Sequence, residues 1–252
     1  MKKGIYLLVG FLVLLMLGAC GGNKEFDENK VYKVGVDTTY PPFEYQEDGE
    51  YKGIDIDLIH AIAEDQGIKI EIEAMDFGGI IPAMQAGELD IGMGGMSITD
   101  ERKEKVDFSD PYFEAGLSLV VAKDNESIHS LEDLEGKVVV IKNGTTGAKF
   151  AEEHKKEHGY ETVQVNDSTS MFQEVSNGSA DALIEDYPVI TYAIAQSGLD
   201  LQVVGERLNG DHYGISVLKG KNDELLEKIN AGLAALKDSG EYDEIMNTYL
   251  GE

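Results

Sequence analysis

Basic residues are scarce in this chain. Lysine and arginine number 21 against 48 aspartates and glutamates, which leaves a formal charge of −27 at pH 7. So acidic a surface repels nucleic acid and anionic lipid headgroups, so neither is expected as a partner; its plain use is solubility. The sign of the surface does not fix the sign of a pocket within it. Cysteine is scarcer still: Cys20 stands alone, so no intrachain disulfide can form. A second long apolar run is missing. The run at residues 5–17 is too short to span a membrane comfortably, and nothing after it is apolar enough to try. There is no GxxxxGK[ST] phosphate loop, because in Lys142-Asn143-Gly144-Thr145-Thr146-Gly147 the lysine precedes the glycines. No other cofactor motif is visible, and no low-complexity linker divides the chain.

The N-terminus has the form of a processing segment. Lys2 and Lys3 precede the apolar run, and small residues follow it up to Cys20. A cysteine there is either incidental to a leader or the point of the leader. The stretch Leu17-Gly18-Ala19-Cys20 resembles the bacterial lipoprotein signal, in which the cysteine receives a diacylglyceryl group and becomes the new N-terminus. Two buried acyl chains anchor firmly where one does not. The expectation is a leader at 1–19, lipidation at Cys20, a flexible polar tether over 20–30, and a body held at the outer face of the membrane.

From residue 31 onward, short apolar strands alternate with amphipathic helices, the pattern of an α/β fold. Residues 32–36 read as a strand. Ile56, Ile59, Ile62 and Ala63 share one helical face, and Gly67 stops that helix. Ile68, Ile70, Ile72 and Ala74 alternate with Lys69, Glu71 and Glu73, as in a half-buried strand. A short helix over 79–86 takes Pro82 in its first turn, and 89–93 reads as a buried strand. After an apolar strand at 117–122 the cycle restarts with strand 138–141, turn 142–147, helix 148–158 and strand 162–165. Helix 171–176, strand 182–184 and helix 188–196 follow; a strand at 213–217 and helices at 223–237 and 241–249 end the chain. Two α/β units with a return strand predict two lobes of roughly 100 residues, each large enough for a core. Crossings near 113–117 and 212–215 make lobe 1 residues 31–114 and 213–252, and lobe 2 residues 115–212.

Three segments carry chemistry. In Gly94-Gly95-Met96-Ser97-Ile98-Thr99-Asp100-Glu101-Arg102, glycines expose backbone N–H groups, Ser97 offers a hydroxyl, and Thr99 caps a helix that holds Arg102 one turn in. Backbone donors, a hydroxyl and a guanidinium fork make a carboxylate receptor; a capped helix with a surface arginine is the plainer alternative. In Ile184-Glu185-Asp186-Tyr187, two acids follow a buried strand, where α/β proteins place ligands. A carboxylate there suits an ammonium, or it caps the next helix. Asp37-Thr38-Thr39-Tyr40-Pro41-Pro42-Phe43-Glu44 follows the first strand and brings aromatic faces, as does Phe77; Phe43 fits a core role better than Tyr40 or Phe77.

Taken together, VGVDTTYPPFEY, GIDIDLIHAIA, MDFGGIIPAMQAGELDIGMGGMSITDERKEKVDFSDPYF, GKVVVIKNGTTG and ADALIEDYPV resemble the polar amino-acid family of periplasmic-type solute-binding proteins. The similarity covers nearly all of 31–250 and is nearest to the glutamine-binding members. It implies a type II two-lobed fold with two hinge strands and a ligand in the cleft between lobes. It implies that Arg102 grips an α-carboxylate, helped by Ser97 and by backbone donors near Thr145 and Thr146. Asp186, with the carbonyl of Gly95 beside Met96, meets the α-ammonium, and Tyr40 and Phe77 sandwich the ligand's aliphatic part. Asp37 and Lys142 meet a side-chain amide, which both donates and accepts. Glu185 departs from the glutamine-binding pattern, which has histidine there, so arginine, lysine or histidine stays open as ligand.

The expectation is a monomeric, non-catalytic capture protein without a cofactor, which hands a free amino acid to an ABC permease with its ATPase subunits. Cyclohexadienyl dehydratases share the fold, so an enzyme with Glu185 as acid or base is the rival from another class. A sensor domain is a second rival, disfavoured because no kinase or channel segment is attached. His154 and His158 stand four apart on a helix, a metal-ligand spacing, but their charged neighbours favour a solvated face.

Overall fold

The computed structural model describes residues 25–251. The leader, Cys20 and the first part of the expected tether lie outside the described residues. The chain runs through β1 (Val31–Val36), β2 (Thr39–Tyr40), β3 (Glu44–Glu47), β4 (Glu50–Lys52), α1 (Ile54–Gln66) and β5 (Lys69–Ala74). A 3-10 turn at Phe77–Gly79, α2 (Ile80–Ala86), β6 (Ile91–Gly92), α3 (Asp100–Lys103) and β7 (Val106–Phe108) follow. Next come β8 (Phe113–Glu114), β9 (Leu117–Ala122), β10 (Val138–Lys142), α4 (Thr146–His158), β11 (Glu161–Val165) and α5 (Ser168–Ser176). The chain closes with β12 (Ala182–Asp186), α6 (Tyr187–Ser197), β13 (Leu201–Val204), β14 (His212–Tyr213), β15 (Ser216–Leu218), α7 (Asp223–Ser239) and α8 (Glu241–Leu250).

Two lobes result, each on a five-stranded sheet. The first has the order β5-β1-β6-β15-β7 and the second β11-β10-β12-β9-β13. In each, the three leading strands are parallel and the fourth runs antiparallel to its neighbours. β8 and β14 pair antiparallel as a two-stranded ribbon, with His212 opposite Glu114 and Tyr213 opposite Phe113. This ribbon carries both hinge passages between the sheets.

The local reasons are simple. α1 buries Ile54, Leu58, Ile59 and Ile62 and ends at Gly67, whose φ of 65° suits a residue without Cβ. α7 packs along α1 because Gly232 leaves room: a Cβ there would come 2.9 Å from Ile62 Cγ2. Met246 of α8 joins the same core, so the C-terminal helices cover lobe 1. Within lobe 2, the apolar residues of β9, β10 and β12 pack beneath α4 on one face and α5 and α6 on the other.

Several expectations shift. Residues 25–30, expected in the free tether, lie on lobe 1. Phe26 stacks on Tyr32 at 5.4 Å, its N–H donates to Glu224 Oε2 at 2.6 Å, and Lys30 pairs with Asp90. An aromatic residue in an otherwise polar stretch is the reason. The expected strand 89–93 contracts to Ile91–Gly92, because Gly94 and Gly95 take positive φ and leave the ladder. The expected strand 213–217 divides at Gly214: β14 stays in the hinge ribbon and β15 joins lobe 1 between β6 and β7. β12 extends two residues further than expected, since Glu185 and Asp186 still pair with Ser118 and Leu117 of β9. The β2-β3-β4 meander was not anticipated.

Candidate functional site

The C-terminal ends of the parallel strands in both sheets face one another across the cleft. Asp37 follows β1, Gly94 and Gly95 follow β6, Lys142 ends β10, and Glu185 and Asp186 end β12. These are the places where open α/β sheets put ligand groups. The lobes are closed on each other. Tyr40, Phe77, Gly94, Gly95, Ser97 and Arg102 from lobe 1 line one small cavity with Lys142, Thr145, Thr146 and Asp186 from lobe 2.

On lobe 1, Thr99 is the N-cap of α3, and its hydroxyl accepts from Arg102 N–H at 3.2 Å. That cap turns the half-buried Arg102 side chain into the cleft. Its Nη1 donates to Ser97 carbonyl oxygen at 2.8 Å and its Nη2 to Gly144 carbonyl oxygen, across the cleft, at 3.1 Å. The guanidinium lies 5.1 Å from the Phe77 ring. The Ser97 and Thr146 hydroxyls meet across the cleft at 3.4 Å. Gly95 must be glycine: φ is +54°, and a Cβ would stand 2.5 Å from the Tyr40 ring. Its N–H donates to Asp55 Oδ2 at 2.9 Å, which also accepts from Tyr112 hydroxyl at 2.9 Å. Met96 contributes less than its place in the motif promised. Its side chain belongs to the apolar core under α2, with Ile80 and Met84, and it only edges the outer mouth of the cleft.

On lobe 2, Thr145 caps α4 by accepting from Ala148 N–H at 3.0 Å, and its hydroxyl donates to Lys142 carbonyl oxygen at 2.9 Å. Its hydroxyl is therefore committed to the turn. Gly144, with φ +78°, touches Gly78 of lobe 1; a Cβ there would come 2.7 Å from Gly78 Cα. Lys142 is 2 % exposed. Its Nζ lies 2.5 Å from Asp37 Oδ2, donates to Ser168 Oγ at 3.0 Å, and sits 4.7 Å from the Tyr40 ring and 5.8 Å from the Phe77 ring. The lysine ammonium thus stands between the two rings expected to flank a ligand, so an incoming side chain shares that space with it.

Asp186 is the N-cap of α6 by position, yet its side chain makes no capping bond. Instead its Oδ2 accepts from Tyr40 hydroxyl at 2.6 Å and from Tyr213 hydroxyl at 2.5 Å. Its Oδ1 is buried with no hydrogen-bond partner among the described residues. Burial raises the Asp186 carboxyl, and the two tyrosine hydroxyls and Arg102 oppose that rise. Glu185 Oε1 accepts from Asp186 N–H at 2.7 Å and stands 3.0 Å from Tyr40 hydroxyl, while Oε2 is buried without a partner. Burial first and the charge of Asp186 second push Glu185 up to about 8.

Sequence reasoning missed Asp55, Glu44, Tyr213 and Ser168. Asp55 lies on the apolar face of α1, a polar interruption of the Ile stripe that could have marked it. Glu44 is fully buried beneath Gly94 and beside Asp55, with neither carboxyl oxygen partnered among the described residues; burial pushes it well above the usual carboxylate range and lifts Asp55 to about 6. His154 and His158 lie together on α4 with ring centroids 6.3 Å apart, and His154 Nδ1 meets Phe150 carbonyl oxygen at 2.8 Å. Among the described residues no three His, Cys, Asp or Glu side chains gather as a metal site. No helix among them is long and apolar enough to cross a membrane.

Comparison with known proteins gives this geometry a setting. The arginine-binding extracellular protein ArtP of Bacillus subtilis (strain 168) is 34 % identical over 254 residues, covering 99 % of this chain and 98 % of ArtP. The solved structure of an ancestral arginine-binding protein bound to arginine has a TM-score of 0.84 at 44 % identity, covering 89 % of this chain and all of that one. A second, an ancestral arginine-binding protein bound to glutamine, has a TM-score of 0.83 at 43 % identity, covering 90 % of this chain and 100 % of that one. Over residues 32–252 the sequence matches one family throughout, and the chain belongs to the bacterial extracellular solute-binding proteins, family 3.

Proposed function

We propose that this chain captures one free polar amino acid, glutamine first, and delivers it to the permease of an ABC importer by closing its two lobes. The observation that carries the reading is the placement of Arg102 on one lobe and Asp186, with its unpartnered Oδ1, on the other. A free amino acid has a carboxylate for the guanidinium and an ammonium for the acid. A molecule with both ends adds to the direct contacts that hold the two lobes together, so the ligand shifts the population toward the closed form by its greater affinity for it. Closure desolvates the ion pairs and strengthens them. Ser97 and Thr146 flank the carboxylate end. Lys142 and Asp37, side by side, offer a donor and an acceptor, the two things a side-chain amide requires.

A basic amino acid is the second reading. It is favoured by the arginine-binding relatives and by the extra acid, Glu185, beside the cleft. We read the protein as non-catalytic and monomeric, anchored outside the membrane through a lipid on Cys20. Incubation with prephenate or arogenate tests the dehydratase alternative, and Cys20→Ala, expected to release the protein from the membrane fraction, tests the anchor.

The deciding experiment is calorimetry of the purified, ligand-stripped protein against all common amino acids. Arg102→Ala is expected to abolish binding of every one. Lys142→Ala is expected to keep binding but change which amino acid is preferred. Normal binding by Arg102→Ala overturns the carboxylate grip and with it the reading.

A further inference from the structure

Glu185 has no part in joining the two lobes' charges, yet it is 4 % exposed and lies against Tyr40 and Asp186, which line the cavity. The hydrogen bonds around it can be counted. Tyr40 has one hydroxyl proton and two carboxyl oxygens within reach, Asp186 Oδ2 at 2.6 Å and Glu185 Oε1 at 3.0 Å. If that proton goes to the nearer acid, the Tyr40 oxygen remains as an acceptor facing Glu185. A protonated Glu185 donates to it, and a directed chain forms: Glu185 to Tyr40 to Asp186, with Tyr213 donating to the same Asp186 oxygen. An ionised Glu185 keeps Asp186 N–H as its donor but leaves a second carboxylate against a hydroxyl already spent. Asp186 is the better supported of the two acids, because two hydroxyls and Arg102 oppose its rise, whereas Glu185 shares the Tyr40 hydroxyl and faces the charge of Asp186; each keeps one buried oxygen without a partner among the described residues. The elevation of Glu185 to about 8 agrees with this assignment.

The charge of the site follows. Glu185 is faced by Asp186 on its own strand, Lys142 from β10, and Tyr40 and Tyr213 from lobe 1 and the hinge. Asp37 neutralises Lys142, and Arg102 balances Asp186. Asp55 and Glu44 lie one layer below, behind Gly94 and Gly95, and burial raises both. With Glu185 protonated, the lining groups sum to zero and suit a side chain without charge. With Glu185 ionised they carry one negative charge, which a cationic side chain offsets.

We propose that Glu185 is the charge selector of this cleft: it keeps a proton when the ligand side chain is neutral and gives it up to solvent when the side chain is cationic. The inference rests on the amino-acid reading above and names the determinant that divides its two ligand classes. One consequence is independent of the protonation of the free protein, because that state is common to both ligands and cancels in the ratio. The complex with glutamine holds one more proton than the complex with arginine. The ratio of the two affinities therefore changes by about tenfold per pH unit between the pH at which Glu185 ionises in the arginine complex and the higher pH at which it ionises in the glutamine complex, glutamine gaining as the solution turns acidic.

The test is calorimetry of glutamine and arginine between about pH 6 and about pH 8, in two buffers of different ionisation enthalpy. The wild-type protein is expected to show the sloping ratio and a proton count that differs by one between the ligands. Glu185→Gln, which keeps the shape and fixes the group neutral, is expected to bind glutamine and to flatten the ratio. A flat ratio in wild type, a slope that survives in Glu185→Gln, or failure of either ligand to bind across the whole range while the other binds overturns the inference and leaves the amino-acid reading standing. If neither ligand nor any other amino acid binds the folded protein, the reading itself falls and the inference with it.

Discussion

Both lobes arrange five strands in one order around a parallel trio, yet the two trios end in different chemistry. Lobe 1 finishes β1 and β6 with a tight run of backbone and aromatic groups: Tyr40, then Gly94 and Gly95, whose conformations admit no side chain. Lobe 2 finishes β10 and β12 with charged side chains, Lys142, Glu185 and Asp186, each less than 5 % exposed. One half of the site is set by shape and the other by charge. Asp37 and Arg102 are the exceptions on lobe 1, and both reach lobe 2, Asp37 to Lys142 and Arg102 to Gly144 carbonyl oxygen. The lesson is that a repeated topology supplies equivalent strand ends, and the residues placed there are free to differ in kind.

This contrast can be broken on its charged side first. Asp186→Ala removes the acid that two tyrosines orient, and is expected to weaken ligand binding by about 2–5 kcal/mol, the range for truncating one partner of a buried charged pair. Circular dichroism should be unchanged. If the affinity is unchanged too, lobe 2 does not act through that charge. The shape side is tested next. Gly144→Ala forces a Cβ to 2.7 Å from Gly78 Cα at a φ of +78°, where the backbone alone costs about 1–2 kcal/mol. Gly78→Ala meets Asn143 carbonyl oxygen at 3.3 Å without that backbone strain. Both should wedge the lobes, seen as a larger radius of gyration in the presence of ligand, with Gly144→Ala the stronger. The smallest effect belongs to the rim. Lys149 of α4 pairs with Glu101 of α3 across the cleft at 2.7 Å, in water. Lys149→Ala should lower affinity only slightly, and added salt should erase the difference.

The fold was legible wherever a segment's partner was itself. The α1 stripe and its Gly67 stop, the apolar run of β9 and the cap at Thr99 are local facts of pattern and hydrogen bonding. The meander was harder, because Tyr45, Gln46 and Glu47 have no apolar alternation. Only Asp48-Gly49, both at positive φ, signals its turn. The extent of β12 was hidden for a different reason. Glu185 and Asp186 look like loop residues until β9 is seen hydrogen-bonded beside them. The apparent strand around Tyr213 serves the hinge ribbon and the lobe 1 sheet in turn, which no local pattern encodes.

The candidate site divides along the same line. Residue types and motif order alone determined that a guanidinium, two strand-end acids, a lysine and aromatic faces were available. Tertiary structure alone decided how they are used. It turned Asp186 from a helix cap into an acceptor for Tyr40 and Tyr213, placed Lys142 between two rings against Asp37, and buried Glu44 against Asp55. It also drew Met96 into the core. The physical reason is that burial and hydrogen-bond partners, which set a charge's worth, come from distant segments, 145 residues apart in the case of Tyr40 and Glu185.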